Sequence, residues 1–374
     1  MGDQAVRDLD AFGQSVWLDD ISRSMIRTGR LRSLIDLGLA GLTSNPTIFD
    51  KAVASGADYD DQIRSLRRGG ASAFEIYDEL TTTDVRDAAD DFRPVYDRTG
   101  GRDGYVSLEI EPKLAGDTGR TVTEGLRLFK KVGRPNVMFK VPATAAGFGA
   151  VEELTAAGVN VNITLIFSTG QYRRTAAAYL RGLERLVEAN GDPKTVRSVA
   201  SVFVSRIDTA VDAALDALVA RESDPGLRRL AGSIKGRAAV ANAHLCYAIF
   251  RKTFAANEFL DLREKGASVQ RPLWGSTSTK NPAYSDIKYV EELIAPDTVN
   301  TMPEKTFFAF LDHGRVAKAL TPDTSRSEEA LANVEKLGLS IDGVCAALLE
   351  DGVRAFGRSL DDLLRTIEKK AGGL

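Results

Sequence analysis

The run Val137-Met138-Phe139-Lys140-Val141 places a lysine inside an otherwise apolar segment. Lysine is among the side chains least often buried without a partner, because an ammonium ion in apolar surroundings loses its hydration. Burial disfavours the cation and lowers the pKa of the amine from its reference near ~10.4. The neutral amine is a nucleophile able to form an imine with a ketone. The same run is compatible with a core ion pair, in which Glu109 or Asp19 holds the ammonium.

Other polar side chains close other apolar runs. Asp19 and Asp20 end SVWLDD, Thr43, Ser44 and Asn45 end GLTSNP, and Glu109 and Glu111 end YVSLEIEP. Asn162 and Thr164 lie in VNITLIFS, Ser201, Ser205 and Arg206 in SVASVFVSRID, and Ser276, Ser278 and Lys280 in and just after VQRPLWGSTS. Asp19 and Glu109 fall on different runs, which suits separate acid and base work. A helix cap at Asp20 and a salt bridge at Glu109 account for those carboxylates equally well. Arg206, Ser278 and Lys280 bring two cations and a hydroxyl to the ends of neighbouring runs, and WGSTSTKNP has the small-residue character that lets backbone N–H groups approach an anion. A solvated rim is the alternative for those three.

The elements that must position these residues alternate along the chain. Eight β-like runs are expected at 15–20, 41–46, 105–112, 136–143, 161–168, 198–208, 269–278 and 298–305. Amphipathic segments such as GDTGRTVTEGLRLFKKVG and TGQYRRTAAAYLRGLERLVEANG separate them, with apolar residues at helical spacing and Gly at the stop. Repeated βα units imply a parallel sheet, and eight of them favour an α/β fold closed as a (β/α)8 TIM barrel, with chemistry at the carboxyl ends of its strands. The whole of 1–374 reads as one barrel domain. Further helices form an insertion between strands two and three, about 47–104, and a tail, about 322–370, packs on the outside with a frayed ending.

Composition excludes several functions. A net charge of −3 with 27% charged residues gives no basic surface for nucleic acid. The amino terminus lacks the apolar core of a signal peptide, and no stretch approaches the roughly 20 apolar residues that span a bilayer. Cys246 and Cys345 have no metal or redox spacing, so a reduced, cytoplasmic location is expected. His244, in mid-helix, and His313, in a late loop, also lack metal-ligand spacing and read as structural. The chain contains no G-x-G-x-x-G after the first strand, no G-x-x-x-x-G-K-[ST] and no G-x-S-x-G. No metal or other cofactor is called for, and carbonyl activation falls to the lysine.

TSNPTIF, with Asn45 inside it, and NVMFKVPATAAGFGAVEELTAAGVNVNITLIFS resemble the signatures of the transaldolase family. The resemblance runs through every expected strand from about 15 to 305. It implies that Lys140 is the Schiff-base lysine, that Asp19 is the acid/base at the carbon–carbon bond, and that Glu109 and Thr164 orient a water for imine formation and hydrolysis. By the same resemblance Asn45, Asn162 and Ser201 hold the dihydroxyacetone hydroxyls, and Arg206, Ser278 and Lys280 hold the phosphate. The implied partners are sugar phosphates; a monomer or homodimer is expected, though the resemblance does not carry oligomeric contacts over. Two features depart from the pattern. Lys280 stands where many members have arginine, so a point charge replaces a bidentate fork, and the chain is longer than many members. The related fructose 6-phosphate aldolases use the same lysine but are much shorter and lack the matching glutamate. A silent barrel that only binds sugar phosphates is a third reading, of a different class.

Overall fold

The computed structural model describes residues 4–373. Eight parallel strands close into a barrel in sequence order. They are β1 (Gln14–Leu18), β2 (Gly41–Thr43), β3 (Tyr105–Glu109), β4 (Val137–Pro142), β5 (Val161–Ile166), β6 (Ser198–Phe203), β7 (Gln270–Gly275) and β8 (Thr298–Met302). The expected (β/α)8 barrel is therefore present, strand for strand.

Each strand stops short of its expected carboxyl end, for a physical reason. The polar residues there serve the next element instead of the ladder. Asn45 caps the helix Pro46–Ala54, its Oδ1 accepting from the Ile48 amide, and Ser168 caps the helix Thr169–Glu188. Ser205 and Arg206, expected at the end of strand six, instead open the helix Ser205–Arg221. Ser276, Ser278 and Lys280 lie in the loop beyond β7 rather than on it.

Side chains alternate between the inside and the outside of such a barrel. Inside its amino-terminal half, Trp17, Tyr105, Met138, Val199, Leu273 and Val299 form a separate apolar cluster. Beneath them Arg271 pairs with Asp103 at 3.0 Å, and Asp103 also accepts from Ser15 Oγ and the Trp17 indole. Two residues beyond Trp17, Met138, Val199 and Val299 come the polar Asp19, Lys140, Ser201 and Thr301, and on β3 Glu109 is the register partner of Lys140. The apolar plug thus forms the floor of a polar mouth.

The helices between β2 and β3, Pro46–Ala54, Asp60–Arg68 and Ala73–Arg98, fall within the expected insertion. The tail differs from expectation. Its last helix, Ile341–Gly373, packs on those three helices and reaches β5, so it crosses the barrel mouth rather than lying only outside. Its end is tied down as far as Lys370, which reaches Asp60 and the Gly56 carbonyl; only Leu374 of the expected frayed ending lies outside the described residues. His313 is also placed differently, at the end of the helix Glu304–His313 rather than in a loop. His244 is in mid-helix, its ring between Ser327 Oγ and the Thr321 carbonyl.

Gly41 is required by the floor. A Cβ there would sit 2.7 Å from Trp17 Cε2, inside a plug with no room to yield. Gly41→Ala is expected to destabilise the fold by about 1–3 kcal/mol. Thermal unfolding of Gly41→Ala beside Gly41→Ala/Trp17→Phe checks the cause, since the smaller ring should recover part of the loss.

Candidate active site

Lys140 and Glu109 are register partners on β4 and β3, and Asn162 on β5 is the next partner of Lys140. All three therefore occupy one inward layer. Lys140 Nζ lies 3.0 Å from Glu109 Oε2 and donates to the Ser44 carbonyl at 3.0 Å. Both side chains are buried, at 6% and 2% exposure. The contact to Glu109 is a close ion pair without hydrogen-bond alignment, because both carboxylate oxygens lack a hydrogen-bond partner. Burial pushes the Glu109 pKa up and the nearby Asp19 adds to that, while Lys140 opposes it.

The amine opens into a cavity of about 1000 Å³ at the carboxyl ends of the strands. Asp19, Asn45, Thr164 and Ser201 line it on one side of Lys140, and Arg206, Ser278 and Lys280 line it toward β6 and β7. Glu109 and Asn162 stand behind this wall rather than in it. Asn162 is fixed there, its Oδ1 accepting from Ser201 Oγ at 2.6 Å and its Nδ2 donating to Ser107 Oγ at 3.0 Å.

Asp19 accepts from Thr43 Oγ1 at 2.8 Å, and Thr43 Oγ1 lies 3.0 Å from Thr301 Oγ1. The carboxylate is thereby oriented while one oxygen stays free for a ligand. Thr164 sits where β5 breaks register with β6, next to Leu165 at φ 59°. A residue of this kind with a left-handed backbone is strained and marks a bulge that re-aims its neighbour. The Thr164 hydroxyl is buried without a partner, one bond rotation from the cavity it lines.

Arg206 and Lys280 differ in setting. Arg206 is half-buried with its guanidinium 5.2 Å from the Phe203 ring centre, and burial pulls its pKa down while Asp19 opposes. Lys280 is exposed and donates to Ser278 Oγ at 2.7 Å. Serine hydroxyls join the two elements that carry these cations, with Ser205 Oγ 3.0 Å from Ser276 Oγ. The part of the cavity lined by these elements is therefore cationic, with Asp19 near enough to act on Arg206.

Residues 16–367 match the profile of the Transaldolase/Fructose-6-phosphate aldolase family. The chain belongs to that family. A transaldolase of Saccharopolyspora erythraea is 46% identical over 361 residues, which is 96% of this chain and 95% of the relative. Transaldolase 2 of Streptomyces coelicolor is 45% identical over 97% of this chain and 96% of the relative, and Transaldolase 2 of a Nostoc species is 41% identical over the same shares.

Within this family member, the structure adds residues that the sequence did not single out. Thr301 orients Thr43; the alternation of Val299 and Thr301 along β8 was the available signal. The Ser44 carbonyl that accepts from Lys140 is a backbone group, which no residue type announces. Phe356 and Leu348, on the last helix, also line the cavity, and the Phe356 ring centre lies 5.8 Å from Lys140 Nζ. Their spacing of eight is ordinary for a packed helix face, so nothing in the sequence marked them.

Behind the cationic face, Asp208 accepts from the Ala239 amide and from Tyr289, and Asp212 accepts from Gly236 N–H and Tyr284. These bonds fasten the loop of Ser278 and Lys280 to the helix of Arg206. Burial pushes the Asp208 pKa up to about 6, with the two donated hydrogen bonds opposing. The folded state therefore holds this proton more tightly than the unfolded state. The contribution is full below pH ~4, falls as pH rises to about 6 and amounts to roughly 3 kcal/mol. Urea unfolding at pH 4.5 and 7 should show Asp208→Asn losing less stability over that interval than the native chain.

Proposed function

We propose that this chain is a transaldolase of the pentose phosphate pathway, a transferase. It moves a dihydroxyacetone unit from fructose 6-phosphate or sedoheptulose 7-phosphate to an aldose phosphate such as erythrose 4-phosphate or glyceraldehyde 3-phosphate. The observation that carries this is the buried Lys140 amine, held 3.0 Å from a carboxyl group of raised pKa and open to a cavity with a cationic face.

In this reading, Glu109 takes the proton from Nζ, and the neutral amine attacks the C2 ketone. The carbinolamine loses water as Glu109 returns a proton through water held at Thr164, giving an iminium that acts as an electron sink. Asp19 takes the C4 hydroxyl proton, the C3–C4 bond breaks, and its electron pair moves to the iminium nitrogen. The aldose phosphate leaves and a three-carbon enamine remains on Lys140. Asn45 and Ser201 hold its hydroxyls, Asn162 fixing Ser201 from behind the wall rather than touching the substrate itself, while Arg206, Ser278 and Lys280 receive the phosphate. The enamine then adds to the aldehyde carbon of an acceptor, Asp19 returns its proton to the new hydroxyl, and water releases the product.

Transfer requires that the enamine outlive the departure of the first product. Protonation at C3 and hydrolysis would instead release dihydroxyacetone, the outcome of a fructose 6-phosphate aldolase. Phe356 and Leu348 lay apolar surface over the Lys140 side of the cavity, which lowers the water available to that side reaction. This wall favours transferase over lyase. No described helix is long and apolar enough to cross a membrane, and both cysteines are free and buried. We place the chain in the cytoplasm, acting as a monomer or homodimer without a nucleic-acid partner.

Borohydride reduction in the presence of fructose 6-phosphate should trap a non-phosphorylated three-carbon adduct on Lys140, found by intact mass and peptide mapping. Lys140→Ala should give no adduct and no turnover while keeping the native circular dichroism. A folded native chain that forms no adduct would leave only a phosphate-binding barrel.

Phe356→Ala should raise the free dihydroxyacetone formed per transfer event by about fivefold, equivalent to ~1 kcal/mol on the competing barriers. That partition ratio is independent of how much enzyme is folded. An unchanged ratio would show that the helix wall does not protect the enamine.

A further inference from the structure

A second cavity, of about 330 Å³, opens at the amino-terminal end of the barrel, on the far side of the apolar plug from Lys140. Four arginines from separate segments line it: Arg102 before β3, Arg197 before β6, Arg263 on the helix Asn257–Glu264 and Arg271 on β7. Asp297 is the one carboxylate among its lining residues. Arg271 is spoken for by Asp103, but its buried Nε has no partner. Arg102 donates to the Gly13 carbonyl, and Arg197 donates to those of Lys194 and Val196. Carbonyls orient a guanidinium without cancelling its charge. Among the described residues Arg102, Arg197 and Arg263 form no ion pair, whereas Arg23, Arg127, Arg134 and Arg185 all do.

Three guanidinium groups outside any ion pair, with Arg271 beside them and one carboxylate in the lining, leave the concavity net cationic, and an anion relieves that charge with charge-assisted hydrogen bonds. Beside Ser198 and Ser268, the lining also has an apolar part in Met138, Val199, Phe259 and Val269. A volume near the lower end of ligand pockets fits a small molecule rather than a chain segment. We propose that this basal cavity binds a small organic anion, with a phosphate or carboxylate facing the arginines and an apolar body against Val199, Phe259 and Val269. Nothing in the proposed reaction uses it.

The test uses the full chain carrying Arg206→Ala, so that the phosphate face of the upper cavity does not compete, with calorimetric titration of phenyl phosphate and of inorganic phosphate. Expected are one phenyl phosphate per chain with Kd below about 1 mM, weaker binding of inorganic phosphate, and at least roughly tenfold loss on adding Arg197→Ala. Arg263 is exposed, so Arg263→Glu gives a variant whose fold is not at stake, and it should also weaken binding and steepen no unfolding curve. Absence of binding in the Arg206→Ala chain, or binding indifferent to both arginine changes, would overturn the proposal. Equal affinity for the two probes would remove the apolar part of it.

Discussion

The contact between Lys140 and Glu109 is what the rest of the upper barrel answers to. Two opposite charges taken out of water lose more hydration than their attraction returns unless their geometry and surroundings are favourable. Here the carboxylate oxygens lack aligned donors and the amine has the Ser44 carbonyl as a second partner. Burial raises the Glu109 pKa against the pull of Lys140, so the pair is held together by the fold around it more than by its own attraction. Stability and chemistry pull in opposite directions at this point, and the surrounding structure bears the cost.

The barrel bears it by separating its two ends. In the lower half, Trp17, Tyr105, Met138, Val199, Leu273 and Val299 fill the interior, and the buried Arg271–Asp103 pair closes it below. That plug keeps the strands in register, and the register puts Glu109, Lys140 and Asn162 side by side. Above it, side-chain hydrogen bonds among the strands and the segments that follow them replace packing: Thr43 with Asp19, Ser201 with Asn162, and Ser205 with Ser276. The strained backbone at Leu165 is compatible with this order because Gly352 of the last helix leaves room for its side chain; a Cβ there would lie 2.9 Å from Leu165 Cδ2.

The last helix and the helices between β2 and β3 depend on each other. Thr366 reaches Asp50, Lys370 reaches Asp60, and Ser359 meets Thr47. These ties hold Leu348, Gly352 and Phe356, at successive turns of the helix, on the face turned to the barrel mouth. Segments that resemble peripheral additions in the sequence thus shape the wall of the cavity that Lys140 faces.

The sequence by itself determined the order of eight strands, the lysine among apolar neighbours and the set of polar residues that close the strands. Those follow from local patterns: a period of two along a strand, a period near 3.6 along a helix, and the cost of a lone ammonium among apolar side chains. Where strands stop was less legible, because Asn45, Ser168 and Ser205 suit a strand end and a helix start equally, and competition for backbone donors decides. Only the tertiary structure decided that Glu109 and Asn162 stand behind the cavity wall, that Thr301 supports Asp19 through Thr43, and that Phe356 faces Lys140 from 216 positions away in the chain. Contacts of that separation are fixed by how layers pack, and an amphipathic helix carries no mark of which surface its apolar face will meet.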